Sequence, residues 1–276
     1  MARGRASALA RRAPPCYNQA KPNQEGGMAK KILLAGESWS SYTVHVKGFD
    51  AFYTSAYEEG AGRLIRALED SGYEVTYMPN HIAALRFPFS ADELGEYDGV
   101  ILSDIGSNTL LLHPDTFARS QKMPNRCQVI RDYVLAGGAL LMVGGYMAFS
   151  GVDAKAKYGR TALSEVLPVV CLETDDLMEH PEGVRPDIVV PDHPVLAGVP
   201  LDWPHFLGYN RTLPREGAQG VMTIAGDPFI AFGNYGKGRA GAFTSDCAPH
   251  WGPPEFVDWA GYTPLFGGIM NHLTKG

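Results

Sequence analysis

Three short runs constrain this chain more than anything else in it: KILLAG at 31–36, VILS at 100–103 and ALLMV at 139–143. They are apolar almost throughout, not at alternate positions. A strand that is apolar on both faces must be covered on both faces, which is the habit of parallel strands in α/β proteins. Between the runs lie stretches with helical spacing. Ala61, Leu64, Ile65 and Leu68 share one face of a helix expected over 58–71, with Gly72 at its C-cap. Val129, Ile130, Tyr133 and Val134 share another, opened by Asn125 and closed by Gly137 and Gly138. This alternation predicts right-handed crossovers onto a mostly parallel sheet.

The remainder reads less regularly. Residues 73–78 supply a further strand. Apolar runs return at 221–225, 229–233 and 239–244, and the turn Gly236-Lys237-Gly238 predicts that the last two form an antiparallel hairpin. Residues 155–220 are rich in Pro, Asp and Gly and are expected to be irregular. Residues 256–273 read as a broken or late-starting helix. The fold expected is therefore α/β: a three-layer sandwich around a mostly parallel sheet, with a C-terminal antiparallel hairpin.

Charge divides the chain. The net charge is −6, yet residues 1–27 hold Arg3, Arg5, Arg11, Arg12 and Lys21 against Glu25 alone. That surplus of four positive charges leaves a net −10 on the rest. An acidic body argues against nucleic acid or an anionic membrane as partner. The first segment has no apolar core of a secretory signal. Met28-Ala-Lys-Lys-Ile reads as a natural start, so 1–27 is expected to be a disordered extension, from a tag or an upstream start codon, ahead of one domain over 28–276. Cys16, Cys127, Cys171 and Cys247 are scattered, with no C-x-x-C pair, which suits a reducing cytoplasm. No apolar run reaches the length of a membrane span.

Function is sought where parallel strands end, because ligands of open α/β sheets sit beyond the carboxyl ends. Four segments there are polar or small: Gly36-Glu37-Ser38-Trp39, Ser103-Asp104-Ile105-Gly106, Gly144-Gly145-Tyr146 and Thr244-Ser245-Asp246, with His250-Trp251 close behind the last. The third has the pattern of a nucleophile elbow, small-x-nucleophile-x-small, with Gly144 and Ala148 as the small residues. Its centre is Tyr146. As a site residue, Tyr146 offers a hydroxyl as general acid or ligand anchor; as a packing residue, its ring plugs the pocket. Asp246 and His250 suit a carboxylate–imidazole pair, and Asp104 a site carboxylate or a turn residue. Glu37, Trp39, Gly145 and Trp251 complete the set as ligand-binding candidates, although each Trp serves equally as packing. Cys247 is the sole thiol near this rim, read as a buried inert cysteine. No metal-ligand spacing is present, and Gly236-x-Gly238 lacks the following helix of a phosphate loop, so no metal or cofactor is expected.

The segments GESW at 36, KGFD at 47, YDGVILSDIGSNTLLLHPDTF at 97, GGALLMVGGYMAFSG at 137, LPV at 167, WPHFLGYN at 203 and YGKGRAGAFTSDCAPHWG at 235 resemble the group named for glutamine amidotransferase within the class I glutamine amidotransferase-like superfamily, which includes trehalose-utilisation (ThuA-like) proteins. The resemblance implies a flavodoxin-like sandwich. It does not imply glutaminase activity, because class I amidotransferases carry Cys at the elbow centre and His-x-Glu after a late strand. Here the elbow holds Tyr146, and the acid nearest after His250 is Glu255. A literal His180-Pro181-Glu182 lies mid-chain and reads as coincidence. Two functions follow as expectations. One is binding or turnover of a small polar metabolite, with carbohydrate implied by the ThuA-like resemblance. The other is a non-catalytic binding or homo-oligomerisation module, with 155–220 as interface.

Overall fold

The computed structural model describes residues 28–274; the expected extension 1–27 lies outside the described residues. Eight strands form the central sheet. In chain order they are β1 (Lys31–Gly36), β2 (Glu74–Met78), β3 (Gly99–Ser103), β4 (Ala139–Val143), β5 (Pro186–Ile188), β6 (Gln219–Ile224), β7 (Asp227–Tyr235) and β8 (Gly238–Phe243). Their spatial order is β2-β1-β3-β4-β8-β7-β6-β5. The first five in that order run parallel; β7, β6 and β5 continue the sheet antiparallel. The 2-1-3-4 start is the flavodoxin-like winding, whose direction reverses between β1 and β3.

The wholly apolar strands do what the sequence requires of them. Ile32 and Leu34 of β1 enter one core layer, with Leu64 and Leu68 of the helix Gly62–Asp70 and Phe266 and Ile269 of the helix Tyr262–Leu273. Leu33 and Ala35 enter the other, with Ile130 and Val134 of the helix Arg126–Ala136. Each fully buried aliphatic side chain contributes about 1.5–3 kcal/mol, so this two-sided burial fixes which face each strand residue takes. Asn125 caps its helix, its side chain accepting from the Gln128 amide, and Gly137 ends it at φ 131°. The predicted hairpin is β7–β8, closed through Tyr235 and Gly238.

One expectation needs correction. The helix read over 58–71 begins only at Gly62, because Glu58 and Glu59 end a strand. That strand, Asp50–Glu59, pairs antiparallel with Ser38–Lys47 to make a long two-stranded arm outside the central sheet. The segment 155–220, expected to be irregular, also contributes to the core. Its Tyr158, Leu163, Val166, Trp203, Phe206 and Tyr209 are buried, and its backbone holds 3-10 turns and short strands together with the eight-residue strand Leu177–Val184. The elbow after β4 opens into turns, and its next regular element is the single 3-10 turn Val152–Ala154. Among the described residues, no helix is long and apolar enough to cross a membrane.

Candidate functional site

The tips of β1 and β3 define the rim. Gly36 is at φ 111°, and a Cβ there would lie 1.9 Å from the Ser103 carbonyl oxygen, so only glycine lets the two tips close. The Glu37 amide then donates to that same oxygen at 2.7 Å. Glu37 and Asp104, the residues after the two tips, both take left-handed backbone, at φ 47° and 42°. Such positions cost about 1–3 kcal/mol each in a non-glycine residue and concentrate at functional sites.

This backbone drives carboxyls inward. Glu37 is buried, and its Oε2 accepts from Ser103 Oγ at 2.5 Å, with Cys247 Sγ at 3.6 Å. Ser103 Oγ lies 3.4 Å from the same sulfur. Ligand atoms of Glu37, Asp246 and Cys247 all fall within 4.8 Å of one another, the one grouping among the described residues with the donors and spacing to hold a cation. Burial, then the nearby Asp104 charge, pushes Glu37 up to about 7. Burial first, then Glu37 and Asp104, pushes Asp246 well above the usual carboxylate range. Burial raises Asp104 as well, offset in part by the Met147 amide, which donates to its Oδ1 at 2.6 Å, and by His250. The Cys247 thiol is raised by burial and then by Glu37 and Asp246, so it is no thiolate.

The elbow presents Tyr146 outward over this cluster. A Cβ at Gly144 would meet the Thr244 carbonyl oxygen at 2.6 Å, and one at Gly145 would meet Asp104 Oδ1 at 2.8 Å. Asn210 clamps the turn with both ends of its carboxamide, accepting from the Gly145 amide at 2.9 Å and donating to the Gly145 carbonyl at 3.0 Å. The Tyr146 hydroxyl donates to Glu179 Oε1 at 2.7 Å, and the indole N–H of Trp251 donates to Glu179 Oε2 at 3.0 Å. The Tyr146 ring packs on His250 at 4.2 Å and on Trp251 at 5.4 Å between centroids. His250 Nδ1 in turn lies 3.9 Å from Asp246 Oδ2. Desolvation, and then the bond to Glu179, holds the phenol up at about 12.

Of the residues named from sequence, Glu37, Asp104, Gly145, Tyr146, Asp246, His250 and Trp251 therefore meet at one rim. Trp39 does not join them: it stands exposed at the root of the arm, its indole bonded to Glu58 Oε2 at 2.8 Å. Tyr146 follows neither expected geometry in full, since its hydroxyl bonds a side-chain carboxylate and not the backbone or an empty pocket. Sequence reading missed Glu179, which sits on the strand Leu177–Val184, next to His180. It missed Asn210 and its partner Asp176, which accepts from Asn210, Ser150 and Gly151. The matched segment WPHFLGYN, which ends on Asn210, was the available signal. His180 bonds Glu182 at 3.0 Å and stacks on Tyr209, apart from the Glu37 cluster's contacts. A cavity of about 660 Å³ opens at the opposite edge, where the amino ends of β3, β4 and β8 meet, lined by Asp98, Gly138, Lys237 and Arg239. Its charged lining is mixed, with Asp92, Glu96 and Asp98 beside Lys237 and Arg239.

The family described as "Putative glutamine amidotransferase" matches residues 31–275. Among solved structures, the chain is similar to cytoplasmic protein STM3548 from Salmonella typhimurium, at 46% identity over 88% of this chain and 98% of that one, TM-score 0.85. It is similar to cytoplasmic protein STM1381 from Salmonella typhimurium LT2, at 44% identity over 89% and 100%, TM-score 0.86. A ThuA-like protein from Parabacteroides merdae shares the fold at 12% identity, over 91% of each chain, TM-score 0.55. No curated protein matches. With a match across nearly all its described length, this chain belongs to the glutamine amidotransferase-like family of flavodoxin-like α/β proteins.

Proposed function

We propose that the rim binds a small hydroxyl-bearing metabolite of the carbohydrate class, is equipped for acid–base chemistry on it, and does not hydrolyse glutamine. One observation carries this reading: a line of groups runs inward from the half-exposed Tyr146–His250 ring pair, through Asp246, to buried Glu37 poised near neutrality. Aromatic faces suit the C–H faces of a sugar ring, and carboxylates accept its hydroxyls. A carboxyl that titrates near 7 transfers protons most effectively at neutral pH.

Glutamine hydrolysis needs a thiolate made by a neighbouring histidine. The elbow offers a phenol held at about 12. No helix follows it to lend its N-terminal dipole to an anion. The nearby thiol, Cys247, is driven toward its protonated form by burial and then by two carboxyls. A cytoplasmic location is the reading that scattered cysteines and the names of the two Salmonella relatives support.

The test is a thermal-shift screen of sugars, sugar acids and amino acids on the native chain and on Tyr146→Ala. A sugar-class ligand should add about 2.7 kcal/mol of stability at a hundred times its Kd, and the shift should vanish in the variant. Release of ammonia from glutamine that disappears in Cys247→Ser would overturn the reading.

A further inference from the structure

The arm is a ten-residue ladder, Ser38–Lys47 against Asp50–Glu59, in unbroken register. At about 3.4 Å per residue it is roughly 34 Å long. Residues paired across the ladder share a face. One face holds Trp39, Glu58, Thr43, Thr54, His45, Phe52 and Lys47, and these satisfy one another: Trp39 bonds Glu58, His45 stacks on Phe52 at 4.4 Å, and Lys47 lies over the same ring. The other holds Tyr42, Val44, Val46, Tyr53 and Tyr57, exposed by 81, 54, 70, 76 and 46%. Among the described residues only its root is engaged, by Tyr57 edge-on to His81 at 5.2 Å and Ser38 bonded to Asn80. Alternation of this kind, as in Tyr42-Thr43-Val44-His45-Val46, is the pattern of a strand with one buried face. A lone two-stranded ribbon is also marginal in water.

We infer that this face packs on the same face of a second copy of the chain, across a twofold axis at the level of Thr43 and Thr54. The face is self-complementary about that level. With the ribbons antiparallel, Tyr42 meets Val44, Tyr57 meets Ala51, Tyr53 meets Ser55 and Ser40 meets Val46. Every tyrosine falls on a smaller residue, and each contact occurs twice, as an isologous interface requires. Aromatic side chains bury roughly 150–250 Å² each, so three tyrosines and two valines offer on the order of 600 Å² per copy. With main chain and the serine rows this reaches the scale of the roughly 800 Å² per partner of a stable complex. The arm leaves the body at Ser38, directly after Glu37, and Gly60 returns to donate to the Glu37 carbonyl at 2.9 Å. The antiparallel arrangement therefore brings the tip of the second copy, with its fully exposed Phe49, to the root beside this rim.

Light scattering on the full chain at micromolar concentration tests this. The native chain should show twice its 29.9 kDa mass. Tyr42→Glu, and independently Val46→Glu, should give monomers with a dimer Kd raised at least a hundredfold and an unchanged far-ultraviolet circular dichroism spectrum. Thr43→Glu, on the self-satisfied face, should remain dimeric. A monomeric native chain overturns the inference and leaves the face to another occupant. So does a dimer that survives both face variants, or one that Thr43→Glu breaks equally.

Discussion

The rim and the arm meet at the peptide between Glu37 and Ser38, and they break the ordinary rule of inside and outside in opposite directions. At the rim, carboxyls go inside: Glu37 and Asp246 are buried within reach of each other, with Asp104 close enough to raise both. On the arm, tyrosines and valines go outside. Scattered exposed leucines are normal, whereas buried charge and contiguous exposed apolar surface both need a reason. The rim supplies its own reason, because each buried group has partners in the same chain. Among the described residues the apolar face of the arm has none along most of its length, and the inferred second copy would supply its reason. Enclosed polar groups mark a place for chemistry, and unenclosed apolar groups a place for assembly.

The largest difference between the rim and the arm is expected at their glycines. Gly36→Ala at the rim would drive a methyl into the Ser103 carbonyl. It should cost about 3 kcal/mol or more, in the range of severe overpacking and backbone strain. Gly48→Ala at the arm tip has φ 62° but nothing within 4 Å of the new methyl. It should cost only about 1 kcal/mol, the price of left-handed backbone alone. Urea denaturation of both variants reads the contrast directly. Equal losses would mean that the β1–β3 tips are not closed as described.

A smaller effect is expected from Tyr146→Phe. Its lost hydrogen bond to Glu179 is partly exposed, so stability should fall by about 1 kcal/mol or less, with the ring contact to His250 kept. Affinity for a rim ligand should drop about tenfold. A large loss of stability with unchanged ligand affinity would make Tyr146 a packing residue and return the elbow to structure alone.

The central sheet was legible because its signal is local. Runs such as Ile32–Ala35 and Leu140–Val143 carry their two-faced burial in every residue, and Asn125 and Gly137 mark helix ends by their own backbone chemistry. The rim was legible as a set of strand tips, since topology alone brings Glu37, Asp104, Tyr146 and Asp246 to one edge. Glu179, Asp176 and Asn210 were not. They come from a segment whose backbone is held by tertiary packing and carries no period, and nothing local marks which polar side chain turns toward the elbow. The arm was missed for a different reason. Its root residues Glu58 and Glu59 precede a real helix and read as its first turn, while the alternation of 42–46 meets no core among the described residues.

Glu37 is the carboxyl that the rim holds poised near neutrality for acid–base work. Its folded-state pKa, about 7, stands above the ordinary 4.5, so between those values the folded chain holds a proton that the unfolded chain has lost. Stability should therefore decline as pH rises from about 4.5 through 7. The full penalty, about 3 kcal/mol for a shift of this size, is present above 7, and Glu37→Gln should relieve it at pH 8 but not at pH 4. The direct measurement is a carbon-13 carboxyl titration of the native chain, with the Glu37 resonance assigned by its absence in Glu37→Gln. The Glu37 midpoint should lie near 7. A midpoint near 4.5 would contradict it, because Glu37 would then be an ordinary solvated carboxylate and the rim would hold no group poised for neutral pH.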